Sequence, residues 1–112
     1  MLVNKKILKE ENGDIGYYEC VYDSSNILKV TYFPKLKKLY ISFNRGGTYS
    51  YSNVTPKLFE EFDTAESQGK FFAKTIKSNP KDYPYRKEFT LYPNEINDLK
   101  LIVEEQKKGE DE

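Results

Sequence analysis

Four runs of strand-type residues follow one another so closely that each must turn back along its predecessor. They are IGYYECVY (15–22), ILKVTYF (27–33), KLYISF (38–43) and TYSYSNV (48–54), and the four-residue segments between them are mostly Asp, Ser, Asn, Pro, Lys, Arg and Gly. A parallel neighbour requires a crossover of about a dozen residues or more, which connections this short exclude. The runs therefore predict an antiparallel meander of three to four strands. Ahead of them, LVNKKILK (2–9) adds either an edge strand or a short helix.

After residue 54 the apolar period changes from that of a strand to that of a helix. Thr55 followed by Pro56 is a capping residue with proline in the first turn, and Leu58, Phe59, Phe62 and Ala65 recur at helical spacing. Ser67 caps a second predicted helix with Phe71, Phe72 and Ile76 on one side, which stops by Asn79, before Pro80. The segment KDYPYRKEFTLYP (81–93) reads as turn-rich and extended, with Tyr83, Tyr85 and Tyr92. Asn94 caps a third helix whose stripe of Ile96, Leu99, Ile102 and Val103 either packs on the sheet or docks on another protein. Glu95 and Asp98 suit its positive end, and Lys107 and Lys108 its negative end. The expected fold class is α+β: an antiparallel β-meander of three to four strands covered by two helices, plus a C-terminal amphipathic helix. One domain spans 1–112, with an N-terminal strand extension in 1–23 and a C-terminal helix and acidic tail in 91–112.

Such a fold has to be filled mainly by rings. Ten Tyr and seven Phe, with no Trp, supply 15% of the residues against a total hydrophobic share of 38%. A buried Tyr needs a partner for its hydroxyl, so many rings are expected at the edge of the core, where they also make contact surfaces. Absences narrow the chemistry. Without His the chain lacks the commonest general base and metal ligand, and Ser-His triads, HExxH zinc sites and Cys-His pairs are excluded. Cys20 is alone, forms no internal disulfide and reads as a small buried hydrophobe. The carboxylates left for acid-base work, Glu60, Glu61, Asp63 and Glu66, fall on what reads as a solvated helix face. No catalytic site, cofactor or metal is therefore expected. No apolar run approaches the ~20 residues of a membrane helix, and MLVNKKILKE lacks the apolar stretch of a secretion signal, so a cytoplasmic location without membrane contact is expected.

The formal net charge of zero conceals a division. Residues 24–90 carry twelve Lys or Arg against six Asp or Glu, whereas residues 1–23 carry three against five and residues 91–112 three against seven. A basic centre between acidic ends suits contact with a polyanion, and lysines scattered for solubility give the same totals.

Tyr49 and Tyr51 are either core rings or a stacking platform, and parity decides between them. Leu39, Ile41 and Phe43 alternate with Tyr40, Ser42 and Asn44, giving this strand an apolar and a polar face. A two- or four-residue turn puts both tyrosines beside Tyr40 and Ser42. A three-residue turn, 45–47 with Gly in the left-handed position, puts them beside Ile41 and Phe43. The three-residue turn is preferred, because the other pairing leaves the fourth strand only Thr48 and Ser50 to bury. Ring bodies in the core with hydroxyls reaching a groove at the sheet's edge is a third arrangement.

The stretches SSNILKVTYFPKLKKLYISF, GGTYSYSNV with a YxY centre at Tyr49 and Tyr51, SQGKFFAKTIK, and Tyr83 with Pro84 together resemble the KTSC domain over residues 24–88. That module is named for its place at the C-terminus of some lysyl-tRNA synthetases and also stands alone in small bacterial and phage proteins. The resemblance implies RNA binding, from the synthetase context. Ser50 stands between the tyrosines where members typically carry a basic or larger residue, which speaks against this strand itself gripping phosphate.

Candidate contacts follow from charge and backbone. In SQGK (67–70), the Ser67 cap, the bare backbone of Gly69 and the Lys70 ammonium converge on one anion if the helix starts there, with Lys74 and Lys77 extending a basic edge. A plain cap, with Gly69 allowing close packing, explains the same residues. Arg45 at the hairpin tip, Lys35, Lys37 and Lys38, and Arg86 and Lys87 with Tyr83 and Tyr85 interleaved, suit a nucleic-acid backbone. The reading is a non-enzymatic module binding RNA or single-stranded nucleic acid through Tyr49, Tyr51, Arg45, Ser67, Gly69, Lys70 and Lys74. Two rivals are a phage-type protein that inhibits a host or defence protein through its acidic C-terminal helix, and a homo-oligomeric pocket that sequesters a small nucleotide.

Overall fold

The computed structural model describes residues 2–111, with side chains through residue 106. Its six strands form one antiparallel sheet in sequence order: β1 (Leu2–Lys9), β2 (Ile15–Tyr22), β3 (Ile27–Phe33), β4 (Lys38–Phe43), β5 (Gly47–Tyr51) and β6 (Tyr85–Thr90). The meander expected from the sequence is therefore extended at both sides, from three or four strands to six. The N-terminal run resolves as strand β1, and the segment expected to be merely extended contributes β6. Both additions are edge strands, paired on one side only and largely solvent-exposed, so neither carries the in-out alternation that marks β3 and β4.

The β4–β5 connection fixes which way the sheet's central tyrosines face. Ile41 pairs with Tyr49 and Leu39 with Tyr51, odd with odd, as the three-residue turn requires. The turn is 44–46, one residue earlier than expected, and it closes with the Gly46 N–H donating to the Phe43 carbonyl at 2.8 Å. Gly46 has φ of 95°, in the left-handed region. A Cβ there would also lie 3.1 Å from the Leu91 carbonyl oxygen and 2.9 Å from Cδ1 of Ile96. The Gly46 carbonyl accepts from the Leu91 N–H at 2.8 Å, so this hairpin tip ties the chain that leaves β6 to the sheet.

On the odd face of β4 and β5 lie the helices that the change of period predicts. Helix α1 (Pro56–Asp63) starts where Thr55 Oγ1 accepts from the Leu58 N–H at 3.2 Å. Helix α2 (Gln68–Phe71) starts at Ser67, whose Oγ accepts from the Lys70 N–H at 3.2 Å, and continues as a π-helical turn, Phe72–Lys77. The core beneath is aromatic: Phe59 stacks on Tyr32 with ring centroids 4.3 Å apart, and Tyr22 meets Phe62 edge-on at 5.7 Å. Two of its hydroxyls are paired inside the chain, Tyr32 donating to the Val54 carbonyl and Tyr22 to Asp63 Oδ1, both at 2.6 Å.

Asp63 departs from its expected place on a solvated helix face. It is buried at the end of α1, where Oδ2 also receives the Lys5 ammonium of β1 at 2.6 Å. Partial burial works against the Lys5 charge, but the hydrogen bond and charge of Asp63 outweigh it and hold its pKa up. The pair thus joins the edge strand to the helix layer.

Helix α3 (Pro93–Asp111) crosses β3, β2 and β1. With α1 on one face of these strands, α3 takes the other. It begins one residue before the expected Asn94 cap position, with Glu95 Oε1 reaching back to the Tyr92 N–H at 3.0 Å. The stripe of Ile96, Leu99, Ile102 and Val103 is half-buried, which resolves its use in favour of packing on the sheet. Most of the stretch expected as an acidic tail is helical; the side chains of Lys107 and Lys108, and all of Glu112, lie outside the described residues. Polar residues of this face are paired with one another, Ser42 with Thr48 at 2.7 Å and Ser50 with Glu88 at 2.7 Å.

Two measurements test this architecture. Replacing Gly46 by Ala forces a Cβ onto a left-handed backbone and against the Leu91 carbonyl, and should lower the unfolding free energy by about 2 kcal/mol in urea melts. A loss below about 0.5 kcal/mol, the range of an ordinary surface change, would show that the turn does not constrain the hairpin. The second is alkaline unfolding. Burial pushes Cys20 from 9.0 up to about 12 and Tyr32 and Tyr51 from 10.0 up to about 12, and raises Tyr22 as well. The folded chain keeps these protons where the unfolded chain loses them, so their stabilisation is complete below pH 9 and is lost as pH climbs toward 12. Each group should add about 1.4 kcal/mol per pH unit to the slope within its window, and a stability curve flat to pH 12 would contradict the burial of these groups.

Candidate functional site

Where the odd face of β5 meets the π-helical turn, five rings enclose a cleft of about 520 Å³. Each ring touches the next and the series closes on itself. Phe43 lies 6.0 Å from Tyr49, Tyr49 6.5 Å from Tyr85, Tyr85 6.0 Å from Tyr51, Tyr51 5.0 Å from Phe72, and Phe72 5.6 Å from Phe43, centroid to centroid. The planes are inclined to one another by 30° to 76°, so the YxY pair forms the wall of a recess and not a flat platform. Asn26, Ala73, Lys77 and Pro80 complete the lining, which contains no carboxylate.

Local geometry accounts for each wall. Phe43, Tyr49 and Tyr51 share a face because the hairpin pairs odd with odd, and Tyr85 joins them because it pairs with Tyr51 across β5 and β6. Phe72 and Lys77 are five residues apart, about 140° around a regular α-helix. The wider π turn brings positions i and i+5 toward one side, and both line the cleft; such turns recur at functional sites. Lys87 pairs with Tyr49 and so stands on the same face of β6 as Tyr85, two residues further along the edge strand. Neither Lys77 nor Lys87 is in an ion pair among the described residues.

Tyr51 is the most enclosed of the three tyrosines of the cleft. Its side chain is only 5% exposed, yet among the described residues its hydroxyl has no hydrogen-bond partner, unlike those of Tyr22 and Tyr32. Among the described residues no fully enclosed side-chain oxygen or nitrogen lacks a partner, so the hydroxyl must reach the cleft opening. Burial, with the neighbouring Tyr49 and Tyr85, pushes its pKa up to about 12, which keeps it a neutral donor and acceptor at ordinary pH.

The remaining candidates lie elsewhere. Ser67, Lys70 and Lys74 line a separate shallow depression with Glu66, on the side of the helix away from the cleft. Gly69 faces the β2–β3 turn, where an added Cβ would lie 3.6 Å from Asn26 Cβ, an ordinary contact, so packing there does not require its bareness. Arg45 is exposed at the hairpin tip, outside the cleft lining. Of the seven residues singled out from sequence, Tyr49 and Tyr51 line the cleft, Ser67, Lys70 and Lys74 stand together in the separate depression, and Arg45 and Gly69 line neither. Asn26, Phe43, Phe72 and Pro80 were not among them, and their one signal was proximity in sequence to the turns and stripes that fold together. A larger groove of about 900 Å³ beside α1 holds charges of both signs, Lys5 with Asp63 and Lys35 with Asp14, which neutralise each other. Among the described residues no three His, Cys, Asp or Glu side chains gather as a metal would need, and no helix is long and apolar enough to cross a membrane.

Comparison with known proteins identifies a family. The KTSC domain model matches residues 23–79, just over half of the chain, from the β2–β3 turn to the end of the π-helical turn. The crystal structure of a KTSC domain protein from Yersinia pestis is similar at a TM-score of 0.56 and 28% identity, over 77% of this chain and 100% of that one. No curated protein matches. Tyr49, Tyr51, Phe72 and Lys77 fall inside the matched residues, whereas Pro80 and Tyr85 lie beyond them. By the extent of that match and the order of its motifs, the chain belongs to the KTSC domain family.

Proposed function

We propose that this chain is a non-enzymatic module that binds RNA or single-stranded nucleic acid by taking an unstacked base into the five-ring cleft. The observation that carries this reading is the pairing of an aromatic recess free of carboxylates with two cations unpaired among the described residues, Lys77 in its lining and Lys87 on the same face of β6 as Tyr85. Stacking on aromatic side chains supplies about 1–3 kcal/mol per base and demands no catalytic group. A cleft of this volume lies within the ordinary range for small-ligand sites and admits a nucleobase with its sugar. Phosphates on either side of that sugar then fall to the ammonium groups. The synthetase context of the KTSC module supports the same class of ligand.

Tyr85 is the ring to test, because it is 62% exposed and its loss should not disturb the core. Replacing Tyr85 by Ala is expected to weaken binding of a labelled single-stranded oligonucleotide by about ten-fold or more in anisotropy titrations. Lys77→Gln and Lys87→Gln should each reduce the slope of log affinity against log salt by about 0.7, the share of one phosphate contact. The exchange Lys70→Gln, on the far side of the helix, should do neither. Absence of salt-dependent binding, or a Lys70→Gln effect exceeding that of Lys77→Gln, would refute the cleft as the nucleic-acid site.

A further inference from the structure

Resting on the nucleic-acid reading, we infer that Tyr51 is a specificity-determining residue: its hydroxyl, with the Asn26 side-chain amide, hydrogen-bonds the edge of the inserted base, so the cleft selects among bases. A site that only stacked and neutralised phosphate would need rings and lysines alone. This one holds a tyrosine that is only 5% exposed and whose hydroxyl has no hydrogen-bond partner among the described residues. Buried hydroxyls elsewhere in the same core do not stand so; those of Tyr22 and Tyr32 each donate at 2.6 Å. The hydroxyl reaches the cleft opening, where it is open to water, and a ligand that displaces that water without replacing its hydrogen bond loses affinity. Asn26, in the exposed β2–β3 turn, adds an amide to the cleft lining with no side-chain hydrogen bond among the described residues. Tyr51 can donate or accept, and Asn26 can do both at once, so together they suit a base edge that presents a donor beside an acceptor. An edge lacking that pattern leaves the hydroxyl unsatisfied, which is how buried polar groups reject near-isosteric ligands.

The test compares affinities of the full chain for four single-stranded homopolymers, of A, C, G and U, at one salt concentration, with the variant Tyr51→Phe alongside. The phenyl ring retains every stacking contact and lacks only the oxygen. The wild-type chain is expected to rank the four unequally, and Tyr51→Phe to weaken the preferred base by about five-fold, the size of one neutral hydrogen bond, while leaving the others unchanged. A thermal melt confirms that the variant folds; should it not, Asn26→Ala, at an exposed position, is expected to compress the ranking in the same way. Equal wild-type affinities for all four, or an equal loss for all four in Tyr51→Phe, would overturn the selectivity while leaving the binding module standing. No binding to any of the four would overturn the nucleic-acid reading itself.

Discussion

A single left-handed residue at the tip of one hairpin governs the use of the whole odd face of the sheet. With Gly46 closing a three-residue turn, Tyr49 and Tyr51 fall on the side of Ile41 and Leu39, under the helices. A turn of two or four residues would rotate β5 by one step and send both rings to the face that carries Ser42 and Thr48. That face could not use them, since its polar residues already pair with one another. The same glycine lets the Leu91 backbone approach closely and anchors the entry to α3, so the register of β4 and β5 and the placement of the reverse-face helix share one cause.

Much of this was legible in the sequence where local chemistry leaves little choice. The short turns gave antiparallel pairing, Thr55 and Ser67 gave the helix starts, and the shortage of apolar residues at Thr48 and Ser50 gave the parity of the hairpin. The two edge strands were less legible. β1 and β6 bury little of their surface, so their side chains carry no periodic record of which face is inside, and only backbone pairing identifies them. Asp63 misled for a related reason: helical spacing reports that a residue lies near the buried stripe, but not that a lysine 58 positions earlier has come to meet it. The cleft was the hardest to read, because its walls come from four separate elements and its cationic rim depends on a π-helical turn that composition does not signal.

The position of the cleft in this fold follows from that assembly. Residues within the family match supply the inner wall, Phe43, Tyr49, Tyr51 and Phe72, while the strand added beyond the match supplies the outer ring, Tyr85, and Lys87 beside it. The walls inside the family match and the strand beyond it together set how far the recess is closed and what charge borders it. Among the described residues neither acidic end contributes to the recess lining; α3 spends its apolar stripe on the opposite face.

The central claim, that the inward-facing YxY pair and the π-helical turn form the binding site, is tested most directly by mapping backbone amide shifts in a ¹H–¹⁵N titration with a short single-stranded oligonucleotide. The expected perturbations centre on Tyr49, Tyr51, Phe72, Lys77 and Tyr85, the residues around the cleft. Perturbations centred instead on Ser67, Lys70 and Lys74, or spread evenly over the surface lysines, would contradict it.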